Sequence, residues 1–406
     1  MDAKFVAFYL PQFHPIPEND RWWGQGFTEW TNATKAKPLF EGHYQPHLPS
    51  DLGFYDLRLR QTRREQIKLA KAYGIDAFCY HYYWFSGKRL LHEPIDDMLQ
   101  DEGSDMPFCL CWANENWTRR WDAAEHEVLI AQKYRPEDDI EFIKSLVPFF
   151  RDKRYLTING APILVVYRPQ HLLDSRKTVS TWREYCRSIG IGELHLVCAL
   201  THGNDDYAKF GFDAGVEFPP HASEVTNHAA DMVFYSRFRG VVLNYPEFAA
   251  SYVARTYCSP RVYKCVVPSW DNTARTGARA LIVANGTPQN YECWLKEAVR
   301  TTHESQSGKQ SFVFINAWNE WAEGCHLEPD QKYGRQFLEA TLRVKEGRSV
   351  IGDYAHAHVP VSHTYQRRLL SNRIFLQLRR GIGNLLRPFP RVRGFALNIY
   401  NAFFYR

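Results

Sequence analysis

Eight apolar runs of strand length recur along this chain, and most are apolar at nearly every position. They are Phe5 to Leu10, Ile75 to Tyr83, Phe108 to Trp112, Pro162 to Tyr167, Leu194 to Leu200, Ala214 to Phe218, Val262 to Val267 and Phe312 to Trp318. A strand apolar on both faces has to be covered on both, as in a parallel sheet flanked by helices. Helical patterns stand between the runs. Pro94 opens one, with Ile95, Met98 and Leu99 on a face and Gly103 after it. Pro136 opens another, carrying Ile140, Ile143, Leu146 and Val147. Val179, Trp182, Tyr185, Cys186 and Ile189 form a third, stopped by Gly190. Pro288 begins a fourth, with Tyr291, Trp294, Leu295, Ala298 and Val299. Proline suits a first helical turn and glycine suits the residue past a last one. Eight strands alternating with helices predict a closed (β/α)₈ TIM barrel over residues 1–350, with an open doubly wound sheet as the alternative.

In such a barrel the C-terminal strand ends carry the site, and here they share a character. The first run ends in Gln12-Phe13-His14 and leads into a long loop containing Trp22, Trp23, Glu29 and Trp30. Loops of that length in a compact domain are usually functional. The second run ends in His81, Tyr82, Tyr83 and Trp84, and the third in Trp112, Asn114 and Glu115. Tyr167 ends the fourth, His202 the fifth and Glu217 the sixth, while Trp270 and Asp271 end the seventh. The eighth gives Trp318-Asn319-Glu320-Trp321-Ala322-Glu323-Gly324-Cys325-His326. The 12 Trp and 23 Tyr residues supply flat apolar faces with a polar handle, which suits stacking on sugar rings.

Glu320 and Glu323 are the expected reacting pair. On a continuing strand, positions three apart face opposite ways, so both reach one cavity only if the chain turns after Trp318. Gly324 would help such a turn. Two nearby carboxylates resist joint ionisation, which leaves a proton donor beside a base, the pairing that glycosidic cleavage needs. Glu115, after Asn114, is a competing partner for Glu320, with hydrogen bonding to substrate hydroxyls as its other role.

The run Asn319-Glu320-Trp321-Ala322-Glu323-Gly324, with Tyr9-Leu10-Pro11-Gln12-Phe13-His14, Trp22-Trp23-Gly24 and Phe27-Thr28-Glu29-Trp30, resembles glycoside hydrolase family 99. It is most similar to the WbsX-like branch found among polysaccharide and lipopolysaccharide biosynthesis proteins, over roughly residues 4–345. The resemblance implies a (β/α)₈ barrel and retaining, endo-acting hydrolysis of α-mannosidic linkages. It also implies that Glu320 acts as base on a sugar 2-hydroxyl, giving a 1,2-anhydro intermediate, and that Glu323 protonates the leaving group and then activates water. An attack by O2 on C1 requires a trans arrangement, which α-manno and α-rhamno sugars have. WbsX-like proteins are also described as glycosyltransferases, and fold does not decide net reaction. Transfer to a sugar hydroxyl and a non-catalytic carbohydrate-binding barrel remain the alternatives.

The substrate is an oligo- or polysaccharide, and no cofactor is expected. No CxxC pair or HExxH motif offers a metal site. Nine cysteines, five of them inside strand runs, point to reduced buried thiols. The absence of a leader or spanning run points to a cytoplasmic protein. The net charge of +5 conceals a tail: residues 364–406 hold nine Arg and no Lys, Asp or Glu, leaving −4 on residues 1–363. That extension, with Leu369, Leu370, Ile374, Phe375 and Leu378 among its arginines, reads either as an amphipathic helix on the inner membrane surface or as a helix packed on the barrel. Nucleic-acid binding is not expected, because no recognition module accompanies the charge.

Overall fold

The structure is a computed structural model that describes residues 3–119, 124–135, 137–221, 225–305 and 310–349. Eight parallel strands close into a barrel: β1 (Lys4–Tyr9), β2 (Ala77–Phe85), β3 (Phe108–Trp112), β4 (Ala161–Val166), β5 (His195–Leu200), β6 (Ala214–Glu217), β7 (Val262–Val266) and β8 (Phe312–Ile315). Each pairs with its sequence neighbours, and β1 closes the ring, with Val6 opposite Ala77 on one side and Lys4 opposite Phe312 on the other. The (β/α)₈ barrel is therefore the fold, and the open sheet is excluded. All of β3 and β5 is buried, as their apolar composition on both faces requires.

Seven principal helices pack outside: α1 (Arg60–Ala72), α2 (Glu93–Gln100), α3 (Asp138–Phe150), α4 (Ser175–Ser188), α5 (Tyr245–Val253), α6 (Pro288–Ser305) and α7 (Gln336–Lys345). The Asp174 carboxylate caps α4 by accepting the Lys177 N–H at 3.0 Å. Gly190, at φ +77°, stops it in the left-handed region. Along α6, Tyr291, Trp294, Leu295, Ala298 and Val299 are buried, the face their spacing predicts. Pro136 lies outside the described residues, as does the whole 364–406 extension. All nine cysteines are free, and Cys258 is the exposed one. Among the described residues, no helix is long and apolar enough to cross a membrane.

Two departures shape the site. Strand β8 stops at Ile315, three residues short of Trp318, although the Asn316 and Trp318 N–H groups still donate to the Val266 and Phe8 carbonyls, and side chains add to the join. Asn316 Nδ2 donates to the Pro219 carbonyl at 2.9 Å, and Asn319 Oδ1 accepts the Leu10 N–H at 2.8 Å. A small outer sheet, which nothing in the sequence reading anticipated, joins Val241–Asn244 to Leu281–Ala284 in parallel and adds Trp270–Asp271 antiparallel. It carries the chain after β7 across the rim into the short helix Thr273–Thr276.

Candidate active site

The turn that paired carboxylates require is present. Asn319 and Glu320 run out as a two-residue strand, Trp321–Glu323 make one turn of 3₁₀ helix, and Cys325 and His326 return antiparallel. Gly324 sits at φ +56°, and a Cβ there would lie 3.0 Å from the Asp271 carbonyl oxygen, so both its conformation and its contacts favour glycine. Asn319 clamps the turn to the end of β1, since its Nδ2 also donates to the Leu10 carbonyl at 3.0 Å.

Glu320 and Glu323 converge on Arg275, from the Thr273–Thr276 helix. Its Nη1 donates to Glu323 Oε1 and its Nη2 to Glu320 Oε1, each at 2.5 Å. A third carboxylate, buried Glu29 from the first loop, accepts from Arg275 Nη2 at 2.6 Å and Nε at 3.0 Å. Three carboxylates face one guanidinium, an excess of negative charge that a bound proton relieves. Burial raises the Glu320 pKa to about 8, Arg275 opposes that rise, and Glu323 and Glu29 add to it. Glu323 is raised too, again chiefly by burial, against the pull of Arg275. Glu320 is the deeper group, with 8% of its side chain exposed against 22% for Glu323. Both carboxylates are thus pushed toward their protonated forms, with the more open Glu323 toward the cavity.

That cavity measures about 480 Å³ and opens at the C-terminal end of the barrel. Of the expected residues, Trp23, His81, Glu115, Tyr167, Glu320 and Glu323 line it. Glu115 is ion-paired with Arg168, and the Tyr167 hydroxyl lies 3.1 Å from His221 Nε2. Trp22 stands behind, edge-on to Trp117 at 6.0 Å, and Trp117 itself lines the cavity.

The remaining candidates lie elsewhere, for identifiable reasons. Tyr82, Trp84 and Trp112 sit at positions that point outward to the helices. Tyr82 donates to Ser145 of α3 at 3.0 Å, while Trp84 and Trp112 both pack on Phe142 of α3, Trp112 at 4.0 Å. Asn114 spends its amide on structure, donating to the Arg168 carbonyl and accepting the Arg168 N–H, and so fixes the rim beside Glu115. Trp30 donates to the Tyr55 carbonyl at 2.9 Å and wedges against Phe13 and Trp321. His14 is fully buried under the first loop, where burial lowers its pKa to about 4. Glu217 is bound to Lys264 at 2.8 Å and to the Tyr257 hydroxyl at 2.9 Å within the barrel. Trp318 packs on Phe78, Asn319 is the clamp, and His202 is exposed at φ +52° beside His221. Glu29 reaches the site only through Arg275.

Several lining residues were not among the candidates, Gln12, Tyr83, Trp117 and Arg275 foremost. Gln12 donates to the Tyr83 hydroxyl at 2.8 Å, and both face the cavity. Tyr83 shares the inward face of β2 with His81, a two-residue parity that could have revealed it. Arg275 follows the Trp270–Asp271 strand end by four residues, on a helix too short to show periodicity.

A second cluster lies on the other side of the turn. His326 stacks on Trp321 at 3.8 Å, donates from Nδ1 to the Glu328 carbonyl at 2.9 Å, and meets His47 Nδ1 with its Nε2 at 2.9 Å. Asp330 Oδ2 stands 4.0 Å from that Nε2. Beside them is a cavity of about 180 Å³ that His47, Asp330, Trp270 and Asp271 help to line. Asp271 is held by His43 at 2.5 Å and by Thr273, which anchors the start of the helix bearing Arg275. Trp270 and Asp271 therefore belong to this second cavity.

Comparison with known proteins adds to the geometry. The profile of a family described as glycosyltransferase WbsX matches residues 5–341. Two relatives from Xanthomonas campestris pv. campestris (strains ATCC 33913 and B100), each described as uncharacterized protein WxcX, are 46% identical over 342 residues. The match takes in 84% of this chain and 49% of each relative, so the chain spans about half the length of these curated relatives. Among solved structures, a glycoside hydrolase-like protein superposes with a TM-score of 0.55 at 15% identity, covering 84% of this chain and 94% of that one. The GH99 endo-alpha-mannosidase from Bacteroides thetaiotaomicron gives 0.54 at 13% identity, covering 86% and 98%. At that identity the likeness is one of fold.

Proposed function

The chain belongs to the WbsX glycosyltransferase family, and on that premise we propose that it is a retaining glycoside hydrolase acting on α-mannoside-like, 1,2-trans linkages of a surface polysaccharide or related glycan. The observation that carries this reading is the Glu320–Arg275–Glu323 constellation. Two carboxylates on one turn share a guanidinium and face a cavity with aromatic walls.

The steps balance. Glu320, as carboxylate, takes the proton of the sugar 2-hydroxyl while O2 bonds to C1. The bond from C1 to the leaving oxygen breaks, and that oxygen receives the proton of Glu323. In the second half Glu323 takes a proton from water, the water oxygen bonds to C1 as the C1–O2 bond breaks, and O2 recovers its proton from Glu320. Arg275 orients both carboxylates and limits the rise in their pKa values. Trp23, His81, Glu115 and Tyr167 serve as sugar contacts, with Gln12 and Tyr83 added to them.

Transfer is the second reading, favoured by the family's own description. A sugar hydroxyl then replaces water in the second half, with Glu323 as the same base. Incubation with α-mannan oligosaccharides, with anomers followed by NMR, tests the proposal. Retained configuration and reducing-end release support hydrolysis, and longer products formed with added acceptor support transfer. Full activity in both Glu320→Gln and Glu323→Gln would sink either form.

A further inference from the structure

We infer that His47, His326 and Asp330 form a divalent metal site of the zinc class that pins the first loop to the turn bearing Glu320 and Glu323. The three side chains are buried, and their ligand atoms all lie within 4.8 Å of one another. Two imidazoles and one carboxylate are a common donor set for zinc, whose ligand atoms in a tetrahedral site stand about 3.4 Å apart. The pair separated by 2.9 Å and the pair separated by 4.0 Å bracket that spacing.

Two further observations favour a cation. Asp330 is 3% exposed, and its Oδ1 accepts the backbone N–H groups of Lys332 and Tyr333 at 3.0 and 2.6 Å. Among the described residues no Arg or Lys forms an ion pair with it. A buried carboxylate without a cation is costly, and a bound metal removes that cost. His326, for its part, already has the outer contact typical of a metal-bound imidazole. Its Nδ1–H bonds a backbone carbonyl, which leaves Nε2 unprotonated and directed at His47. Binding replaces one N–H···N bond with two nitrogen–metal bonds, as the His47 proton moves from Nδ1 to Nε2 through solvent. His47 and Asp330 both line the 180 Å³ cavity, which offers a fourth position to water or a small ligand.

The role is one of positioning. His326 is the ladder partner of Asn319 and the stacking partner of Trp321, so an ion bound there stiffens the turn without entering the larger cavity.

The test uses the full chain, stripped with chelator, dialysed and titrated with zinc sulphate by calorimetry. One equivalent should bind, and His47→Gln and Asp330→Asn should each weaken binding about 100-fold. Cys258→Ser, which removes the exposed thiol, should leave it unchanged. Cobalt(II) in place of zinc should give visible bands of a nitrogen/oxygen site with no thiolate charge-transfer band. No stoichiometric uptake, undiminished uptake in both ligand variants, or a thiolate band would overturn the assignment. The cobalt spectrum of the unaltered protein decides the matter even if a variant fails to fold.

Discussion

Along β2 successive aromatic side chains have opposite fates. His81 and Tyr83 face the cavity, where Tyr83 meets Gln12, whereas Tyr82 and Trp84 face α3 and pack on Ser145 and Phe142. Trp112 repeats the outward fate on β3, and Glu115, three residues on, reaches the cavity. Residues of one chemical type at one end of one strand thus divide between cavity wall and scaffold. The pleat alone divides them. An inward substitution should change kinetics at nearly constant stability, and an outward one should do the reverse.

The sharpest way to separate the two faces is at the carboxylates. Glu323→Gln and Glu320→Gln should each lower kcat by about 10²- to 10⁴-fold, the range for a lost general acid or base. Thermal unfolding should stay level or move upward, because like charges are removed; a fall in melting temperature matching the loss of activity would break the division. Outward, Trp112→Ala should cost about 3–5 kcal/mol of stability by denaturant titration while KM of the folded fraction is unchanged. Next comes the pH profile. With Glu320 as the base and its pKa near 8, kcat/KM should climb as pH rises through that value, an acid-side limb. Because Arg275 lowers that pKa, Arg275→Met should move the limb upward by about one unit or more. An unmoved or falling limb would show that the guanidinium does not govern the pair. Since Glu320 is raised from 4.5, its contribution to stability is complete below that value and is lost as pH rises through about 8. The smallest effect should be Tyr83→Phe, a few-fold rise in KM with under about 1.5 kcal/mol lost, the value of one hydrogen bond.

Much of this was legible in sequence. Seven of the eight strands lie within two residues of the apolar runs that mark them, because buried parallel strands keep both faces apolar. That same property hid the direction of Tyr82, Trp84 and Trp112, since a strand without polar alternation gives no sign of which face looks inward. The Glu320–Gly324 turn was readable because two carboxylates three apart need it. Arg275 was not readable, since its four-residue helix has no period and its partners lie far away in the chain. The same distance concealed the pairing of His47 with His326, which no local motif connects. Glu217 looked like a reactive strand-end acid, and only the fold brings Lys264 against it. Helices α5 and α7 and the small outer sheet were also missed, their patterns being short.

The charged machinery comes from three strand ends that adjoin one another: Glu29 follows β1, Arg275 follows β7, and Glu320 and Glu323 follow β8. These are the staves on either side of the seam where the ring joins its first plank to its last. The adjoining arc, after β2, β3 and β4, supplies Tyr83, Glu115 and Tyr167 to the same cavity. Under the proposed function, proton handling falls to the seam and sugar contact to the neighbouring sector of the same rim. On that reading the neighbouring sector can diversify, by drift or by design, from one glycan to another while the seam keeps its charges in register.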